Sequence, residues 1–304
     1  MATGRPTAVI AAFVSNLLIA VAKFVAFSFT GSSSMLAEGF HSVADTGNQA
    51  LLLLGRHRAR RAASRQHPFG YAPERYFWAF VVAIILFAFG AVFSFWEGFQ
   101  KLSDPHPIES PIWAFGVLGV AIAVESVALT IAVREANRTR TGSWWRHIRS
   151  TKDAENSVVL LEDSAAEVGL IVALVGVSLT VATGDARWDA LGSLAIGAIL
   201  AFVSALLATE MRSLLIGEAA GHAHRDAIVT AIRAEPTLER LVELRTMHLG
   251  PDDLMVTARV ELDARLTFDD AAGAITAIER RIRDAVPIAT EIFIEPATAD
   301  RDQE

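Results

Sequence analysis

Two pairs of ionisable side chains, each with a spacing of four residues, lie within long apolar segments of the chain. His41 and Asp45 form the first pair, and Asp163 and Glu167 form the second. A spacing of four places both members of a pair on one face of a helix. One imidazole nitrogen and three carboxylates suit tetrahedral Zn²⁺, and they also accept Mn²⁺, Fe²⁺ or Co²⁺. The sequence therefore predicts a metal site built from two helices.

Four further polar residues are candidates for a supporting role in this site. Glu38 lies one turn before the first pair, and Asn48 lies one turn after it. Glu162 precedes the second pair but points about 100° away around the helix. His67 lies in a loop, where it either receives metal or orders the loop through a hydrogen bond. Polar contacts that hold helices together are the alternative explanation for such residues, but two matched pairs exceed what adhesion requires.

The composition is that of a membrane protein with no soft-metal chemistry. Of the 304 residues, 52% are hydrophobic and 20% are charged, and the mean hydropathy is +0.38. The absence of cysteine excludes thiolate metal cages, disulfides and cysteine nucleophiles. A formal net charge of -7 argues against nucleic acid as a partner. We expect no organic cofactor.

Six apolar segments are long enough to cross the hydrocarbon layer of a bilayer, which takes roughly 20 residues. The first pair lies in the second segment and the second pair in the fifth. At ~1.5 Å per residue, Asp45 lies ~20 Å from the outer start of its helix and Glu167 ~17 Å from the inner start of the other, so the pairs can meet near the midplane. The predicted segments are Thr7 to Phe29, Ser32 to Gly55, Arg75 to Phe99, Pro111 to Arg134, Asn156 to Thr183 and Trp188 to Met211.

Basic residues in the short loops predict that both termini face the cytoplasm. The loops after the second and fourth segments are rich in arginine, whereas the other short loops hold almost no basic residues. We expect an integral protein of a bacterial plasma membrane, with the run from Arg56 to Arg65 contacting anionic lipids. Met1 to Pro6 are too few and too lightly charged for the front of a cleavable signal peptide. Asn16, Lys23 and Glu125 are explained as packing, snorkelling or water-facing groups.

The charges of the predicted site imply an exchange of metal for protons. Three ionised carboxylates close together in a low dielectric are unfavourable, so an empty site takes up protons and a divalent cation displaces them. If the site opens alternately to either side of the membrane, an inward proton gradient drives metal outward. This is a hypothesis from charge alone.

From about Gly217 the hydrophobic runs shorten, and a small soluble domain of order αββαβ is predicted. We divide the chain into a six-helix transport domain, residues 1–212, and a cytoplasmic dimerisation domain, residues 213–304. A core this small favours packing against a second copy. The predicted elements are a helix from Ala223 to Ala234, strands from Val242 to Leu249 and from Leu254 to Leu262, a helix from Asp269 to Ala285 and a strand from Glu291 to Ile294.

Five motifs give the chain a family resemblance over nearly its whole length. They are Met35-Leu-Ala-Glu-Gly-Phe-His-Ser-Val-Ala-Asp45, His67-Pro-Phe-Gly-Tyr-Ala-Pro-Glu74, Leu161-Glu-Asp-Ser-Ala-Ala-Glu167, Trp188-Asp-Ala-Leu-Gly-Ser-Leu194 and Leu215-Ile-Gly-Glu218. With them the chain resembles the cation diffusion facilitators, the zinc-transporter family of metal/proton antiporters. The resemblance implies a parallel homodimer joined through cytoplasmic domains of ferredoxin-like or metallochaperone-like fold.

The resemblance also implies the ligands of the transported ion, which are His41, Asp45, Asp163 and Glu167. The fifth segment departs from the zinc-typical His-x-x-x-Asp and carries Asp-x-x-x-Glu, as in a divergent subgroup that includes organellar members. One histidine with three carboxylates is a harder site, so Mn²⁺ or another divalent ion competes with Zn²⁺. In the cytoplasmic domain, Arg259 and Ile294 occupy strand positions that commonly bear regulatory ligands, so we expect a structural role for it.

Two functions of other classes are alternatives to an exporter of Zn²⁺, Mn²⁺, Fe²⁺ or Co²⁺. An intramembrane metallohydrolase lacks the His-Glu-x-x-His pattern and a general base separate from the metal ligands, so we do not expect an enzyme. A transport-inactive dimeric membrane scaffold would need only the C-terminal domain, and measured flux separates it from an exporter.

Overall fold

The computed structural model describes residues 6–108, 110–140, 143–144, 152 and 154–297. Among the described residues up to 216 there are six long helices, and each predicted apolar segment lies in one of them or extends at most one residue beyond it. The third helix is α-helical over Glu74–Ile85 and Phe93–Ser103, with a π-helical turn over Leu86–Val92 between. The helices are α1 (Pro6–Thr30), α2 (Ser33–Ala59), α3 (Glu74–Ser103), α4 (Pro111–Thr139), α5 (Ala154–Thr183) and α6 (Arg187–Ile216).

Four of these helices are long and apolar enough to cross a membrane among the residues that the structure describes. They are α3 to α6, and α1 contributes a shorter apolar stretch, Leu17–Thr30. The second helix is not among the four, and its acidic residues Glu38 and Asp45 lower its hydropathy. If α2 spans the membrane, the same residues that form the predicted metal site lower its hydropathy. The prediction of six spans stays a prediction.

Helices α3 and α6 pack closely through glycine. A Cβ atom at Gly98 would lie 2.8 Å from Leu194, and one at Gly197 would lie 3.1 Å from Phe95. Side chains at either position would force the helices apart, since small residues allow the close helix approach common in membranes. The π-helical turn of α3, Leu86–Val92, precedes this contact.

A buried ion pair joins the turn between α1 and α2, the end of α3 and the start of α6. Lys101 Nζ lies 3.2 Å from Asp189 Oδ2, with side chains 5% and 0% exposed. Lys101 Nζ also donates to the carbonyl oxygen of Gly31 at 2.6 Å. Asp189 Oδ1 accepts from Ser32 Oγ at 2.8 Å. Each charge thus has additional hydrogen-bond partners, which a buried ion pair needs in order to offset desolvation.

Residues 222–297 have the element order αββαβ, as the sequence predicts. The sheet order is β1-β2-β3, with β1 and β2 antiparallel and β2 and β3 parallel. The first strand begins before the predicted Val242, because its pairing with β2 continues to Leu238 opposite Leu262. The third strand is also longer than Glu291 to Ile294. The elements are α7 (His222–Arg233), β1 (Leu238–Gly250), β2 (Asp253–Leu262), α8 (Phe268–Ala285) and β3 (Ala289–Ala297).

Alternate residues of β2 pack against the two helices of this domain and form its core. Val256 and Val260 are fully buried, as are Ile228 of α7 and Ile278 of α8. This alternation is the period of a strand with one covered face. Helix α8 begins after Thr267, whose hydroxyl accepts from the backbone N–H of Asp270 and so caps the helix.

The chain divides into two compact units by its internal contacts. One unit contains residues 1–58 and 74–212, and the other contains residues 59–73 and 213–304. Residues 59–73 carry the His67 motif, so the second unit includes this loop as well as the C-terminal domain. The roles of the two units in transport and dimerisation stay predictions.

A half-buried carboxylate after β2 provides a prediction on pH. Hydrogen bonds from the side chain and the backbone N–H of Arg265 lower the pKa of Asp263 from 3.8 to about 2. A carboxylate of depressed pKa contributes stability above its unfolded value of about 3.9, and this contribution is lost as the pH falls through about 2. We expect Arg265→Ala to raise the pKa of Asp263 toward 3.8, measured by NMR on ¹³C-labelled aspartate. Arg283→Ala is the matched control, and an unchanged pKa of Asp263 in Arg265→Ala would refute the assignment.

Candidate metal transport site

Helix α2 places the first predicted pair on a buried face. His41 is 0% exposed, and its Nδ1 atom lies 3.4 Å from Asp45 Oδ1. Within the part of the chain that the structure describes, neither ring nitrogen of His41 has a hydrogen-bond partner, and neither has Asp45 Oδ1. Buried polar atoms without partners are costly and rare. This face therefore presents nitrogen and oxygen lone pairs that an ion can use.

Helix α5 presents the second pair, and its two members have different surroundings. Glu167 Oε1 accepts a hydrogen bond from Ser126 Oγ of α4 at 2.9 Å. Its other oxygen, Oε2, is buried without a partner among the described residues. Asp163 is half-buried and interacts electrostatically with Glu125 of α4. Sequence periodicity did not identify Ser126, because a serine carries no signal within a span.

The two pairs belong to one charged region, but the structure does not assemble them into a ligand set. Asp45 interacts electrostatically with Asp163, Glu162 and Glu125 across the helices. In the described ranges, however, no group of three or more His, Asp or Glu side chains is arranged to hold a metal ion. Coordination by all four predicted ligands would therefore need side-chain or helix movement.

Two of the auxiliary candidates bind each other. Asn48 Nδ2 donates to Glu162 Oε1 at 2.5 Å, and both side chains are buried. Glu162 therefore faces α2, although the helical wheel directs it away from Asp163. A wheel gives direction around one helix only, and the position of the neighbouring helix decides which residues meet. The contact holds α2 and α5 together, which is the adhesive role weighed for such residues.

A third auxiliary candidate, Glu38, binds a lysine. Lys23 of α1 is fully buried, and its Nζ atom lies 3.1 Å from Glu38 Oε2 and 2.6 Å from Ser42 Oγ. Packing, snorkelling and exposure to water were the three explanations that the sequence allowed for Lys23. The buried contact with Glu38 agrees with packing and not with the other two.

Glycine at position 169 allows Glu38 to approach α5. A Cβ atom at Gly169 would lie 2.5 Å from Glu38 Oε1. We expect Gly169→Ala to displace this carboxylate and to destabilise the protein by about 1–3 kcal/mol, the usual range for overpacking. The measurement is thermal unfolding in detergent. Gly119→Ala is the control, since a Cβ atom there meets nothing within 4 Å, and equal melting shifts would contradict the contact.

The remaining candidate, His67, lies in a hydrogen-bonded loop. Its backbone N–H donates to Ser64 Oγ at 3.1 Å, and its carbonyl oxygen accepts from the backbone N–H of Ser64 at 3.0 Å. The imidazole ring centre lies 4.6 Å from that of Tyr71. These contacts fit the loop-ordering alternative, and a role in receiving metal stays untested.

In the C-terminal domain, His248 and Glu295 have side chains of types that can bind a metal, and both have contacts with the protein. His248 Nδ1 lies 3.2 Å from the carbonyl oxygen of Gly250. Glu295 forms an ion pair with Arg259 at 3.9 Å. The structural role expected for this domain stays a prediction.

Long apolar helices with ionisable side chains on a buried face are typical of membrane proteins that bind or transport ions. A family model described as "Cation efflux transmembrane domain" matches residues 9–216. A second, ZT_dimer, described as "Cation efflux protein, cytoplasmic domain", matches residues 220–296. The chain therefore belongs to the cation diffusion facilitator family, and the prediction from the motifs is confirmed. The second match fits the homodimer that the resemblance implies.

Named relatives agree with this assignment. The "Proton-coupled zinc antiporter SLC30A9, mitochondrial" of Homo sapiens is 32% identical over 266 residues, which are 86% of this chain and 47% of the relative. "Metal tolerance protein C4" of Arabidopsis thaliana is 29% identical over 86% of this chain and 58% of the relative. "Cation-efflux pump FieF" of Serratia proteamaculans is 26% identical over 93% of this chain and 89% of the relative. The chain thus spans about half the length of the human relative.

Proposed function

We propose that the protein exports a divalent metal ion, Zn²⁺ first, in exchange for protons. The observation that carries the proposal is a set of buried nitrogen and oxygen atoms on α2 and α5 that have no hydrogen-bond partner among the described residues. They are both ring nitrogens of His41, Asp45 Oδ1 and Glu167 Oε2. One cation would bind one of the two ring nitrogens together with the two carboxylate oxygens. The name of the human relative, a proton-coupled zinc antiporter, supports both the ion and the exchange.

The transport step follows from the chemistry of the ligands. We propose that His41 and Asp45 bind the ion first, because His41 Nδ1 and Asp45 Oδ1 already lie 3.4 Å apart. Asp163 and Glu167 then complete the coordination, and Glu167 binds the metal through Oε2 while Oε1 keeps its hydrogen bond from Ser126. Because ligands must lose their protons to bind a metal, each ion that enters releases protons. Entry of protons from the other side reverses the step and releases the ion.

The membrane arrangement is part of the proposal. All six helices α1 to α6 span the membrane, with both termini in the cytoplasm and the arginine-rich loops against anionic lipid. The transmembrane helices form the transport domain, residues 1–212, and the αββαβ domain, residues 213–304, joins two copies. A bacterial plasma membrane is the expected location, and the matches to bacterial proteins support it.

The proposed ligands also suit transported ions other than Zn²⁺. Three carboxylates and one histidine form a harder site than one with two histidines, and Mn²⁺, Fe²⁺ and Co²⁺ accept such ligands. We keep Zn²⁺ first because the human relative is named for it. The transport mechanism is the same for each of these ions.

The test is uptake of metal by proteoliposomes under an imposed pH gradient. We expect uptake of Zn²⁺ that rises with the gradient and stops when an ionophore abolishes it. Parallel assays with Mn²⁺, Fe²⁺ and Co²⁺ establish the order of preference, and protein-free liposomes give the background. Flux equal to this background for all four ions would show a transport-inactive scaffold, whereas flux that is indifferent to the pH gradient would remove the proton from the mechanism.

A further inference from the structure

Lys23 is a buried cation beside the predicted metal ligands. Its side chain is 0% exposed, and so is that of its ion-pair partner Glu38. Among ionisable groups inside a membrane, such burial is rare and marks pairing or function. Lys23 has two partners on the same face of α2, since Nζ lies 3.1 Å from Glu38 Oε2 and 2.6 Å from Ser42 Oγ.

The position of this ammonium group relates it to the metal site. Glu38 and Ser42 alternate along α2 with the predicted ligands His41 and Asp45, and all four share one face of the helix. The charge of Lys23 acts on His41, Asp45 and Glu125. A fixed positive charge that acts on the predicted ligands also repels a dication bound by them, because Coulomb repulsion is strong in a low dielectric.

Glu38 would be available to a metal ion if Lys23 did not hold it. Its second oxygen, Oε1, is buried without a hydrogen-bond partner in the described ranges. This oxygen faces α5 at Gly169, the helix that bears the other predicted ligands. Without the lysine, the region would have one more carboxylate directed between α2 and α5 and one less positive charge.

We propose that Lys23 is a tethered internal cation that holds Glu38 away from the transported ion and so weakens metal binding enough for release. This inference rests on the proposed function. Lys23 acts here as a positioning residue, since it directs Glu38 and contributes its charge without touching the metal. An exporter needs this balance, because an ion held too tightly does not leave.

The test compares Zn²⁺ affinity of the purified full chain and its variants, measured by competition with a chromophoric chelator. We expect Lys23→Met to bind Zn²⁺ more tightly by roughly 10 to 100-fold, the range of effects seen for groups around metal ligands. In proteoliposomes its turnover falls, because release becomes slow. Lys23→Arg keeps the positive charge and retains an affinity close to that of the unchanged protein.

A second pair of variants separates this role from a merely structural one. Glu38→Gln leaves the lysine without its carboxylate, and we expect weaker Zn²⁺ binding. Lys23→Met combined with Glu38→Gln removes both charges and returns the affinity to within a few-fold of the unchanged protein. This comparison remains decisive if Lys23→Met alone fails to fold. The double variant has lost both charges of the pair, so neither Lys23 nor Glu38 is left as a buried charge without its partner.

The outcomes distinguish the inference from the function on which it rests. Unchanged or weaker Zn²⁺ binding by Lys23→Met would overturn the inference. Equal affinities of Glu38→Gln and the double variant would also overturn it, whether or not Lys23→Met folds. If the unchanged protein binds no Zn²⁺, Mn²⁺, Fe²⁺ or Co²⁺, the proposed function itself fails, and the inference fails with it.

Discussion

Replacing Asp45 by asparagine lowers the initial rate of Zn²⁺ uptake into proteoliposomes by at least about 100-fold, since even loss of a group that only orients a ligand lowers metal affinity roughly 10 to 100-fold. The change keeps the shape of the side chain and removes one negative charge. Asp45 lies 3.4 Å from His41 and interacts electrostatically with Asp163. In the proposed site the loss affects the ligands of both helices, and we expect Asp163→Asn to reduce uptake in the same way.

A matched substitution outside the site controls for effects on folding. Asp185 lies exposed in the turn between α5 and α6, where its Oδ1 accepts from the backbone N–H of Arg187 at 3.0 Å. Asparagine preserves this acceptor, so Asp185→Asn transports at the unchanged rate. Asp45→Asn and Asp163→Asn proteins that move metal as fast as Asp185→Asn would show that neither carboxylate takes part in transport.

Replacing Lys101 by methionine has the largest expected effect on stability. Asp189, which is 0% exposed, would lose its ammonium partner at 3.2 Å. Removal of one member of a buried ion pair leaves an uncompensated charge and destabilises by about 3–5 kcal/mol. The same change frees the carbonyl oxygen of Gly31 from its hydrogen bond with Lys101. We expect a markedly lower temperature of thermal unfolding in detergent.

Two further variants make the stability test specific. Lys101→Met combined with Asp189→Asn removes both charges, keeps an acceptor for Ser32 Oγ and recovers most of the lost stability. Arg138→Met breaks an exposed pair with Glu135, and surface pairs contribute only about 0–1 kcal/mol. Equal melting shifts for Lys101→Met and Arg138→Met would show that the buried pair stabilises the protein no more than the exposed pair does.

The helices and strands of the protein could be predicted from the sequence, because each shows a hydrophobic pattern within its own segment. Each predicted apolar segment lies in a helix, and the alternation of Val256 with Thr257 and Ala258 with Arg259 marks a strand with one buried face. Motifs around His41 and Asp163 predicted the family, which the domain matches confirm. These signals need no knowledge of how the elements pack.

The surroundings of the candidate site could not be predicted in this way. The contacts of Lys23 with Glu38, of Ser126 with Glu167 and of Asn48 with Glu162 each join two different helices. Such contacts depend on how neighbouring helices are rotated and how closely they approach. The hydrophobic periodicity of one segment gives neither quantity, so it left packing, snorkelling and exposure to water open for Lys23.

The most direct measurement for the proposed site is a structure of the protein with Zn²⁺ bound, with the ion located by its anomalous scattering. We predict one ion between α2 and α5, with a nitrogen of His41 and oxygens of Asp45, Asp163 and Glu167 at about 2.0–2.2 Å from it. An ion held by one helix alone, or by residues outside these two helices, would contradict a shared site and with it the proposed exchange of metal for protons.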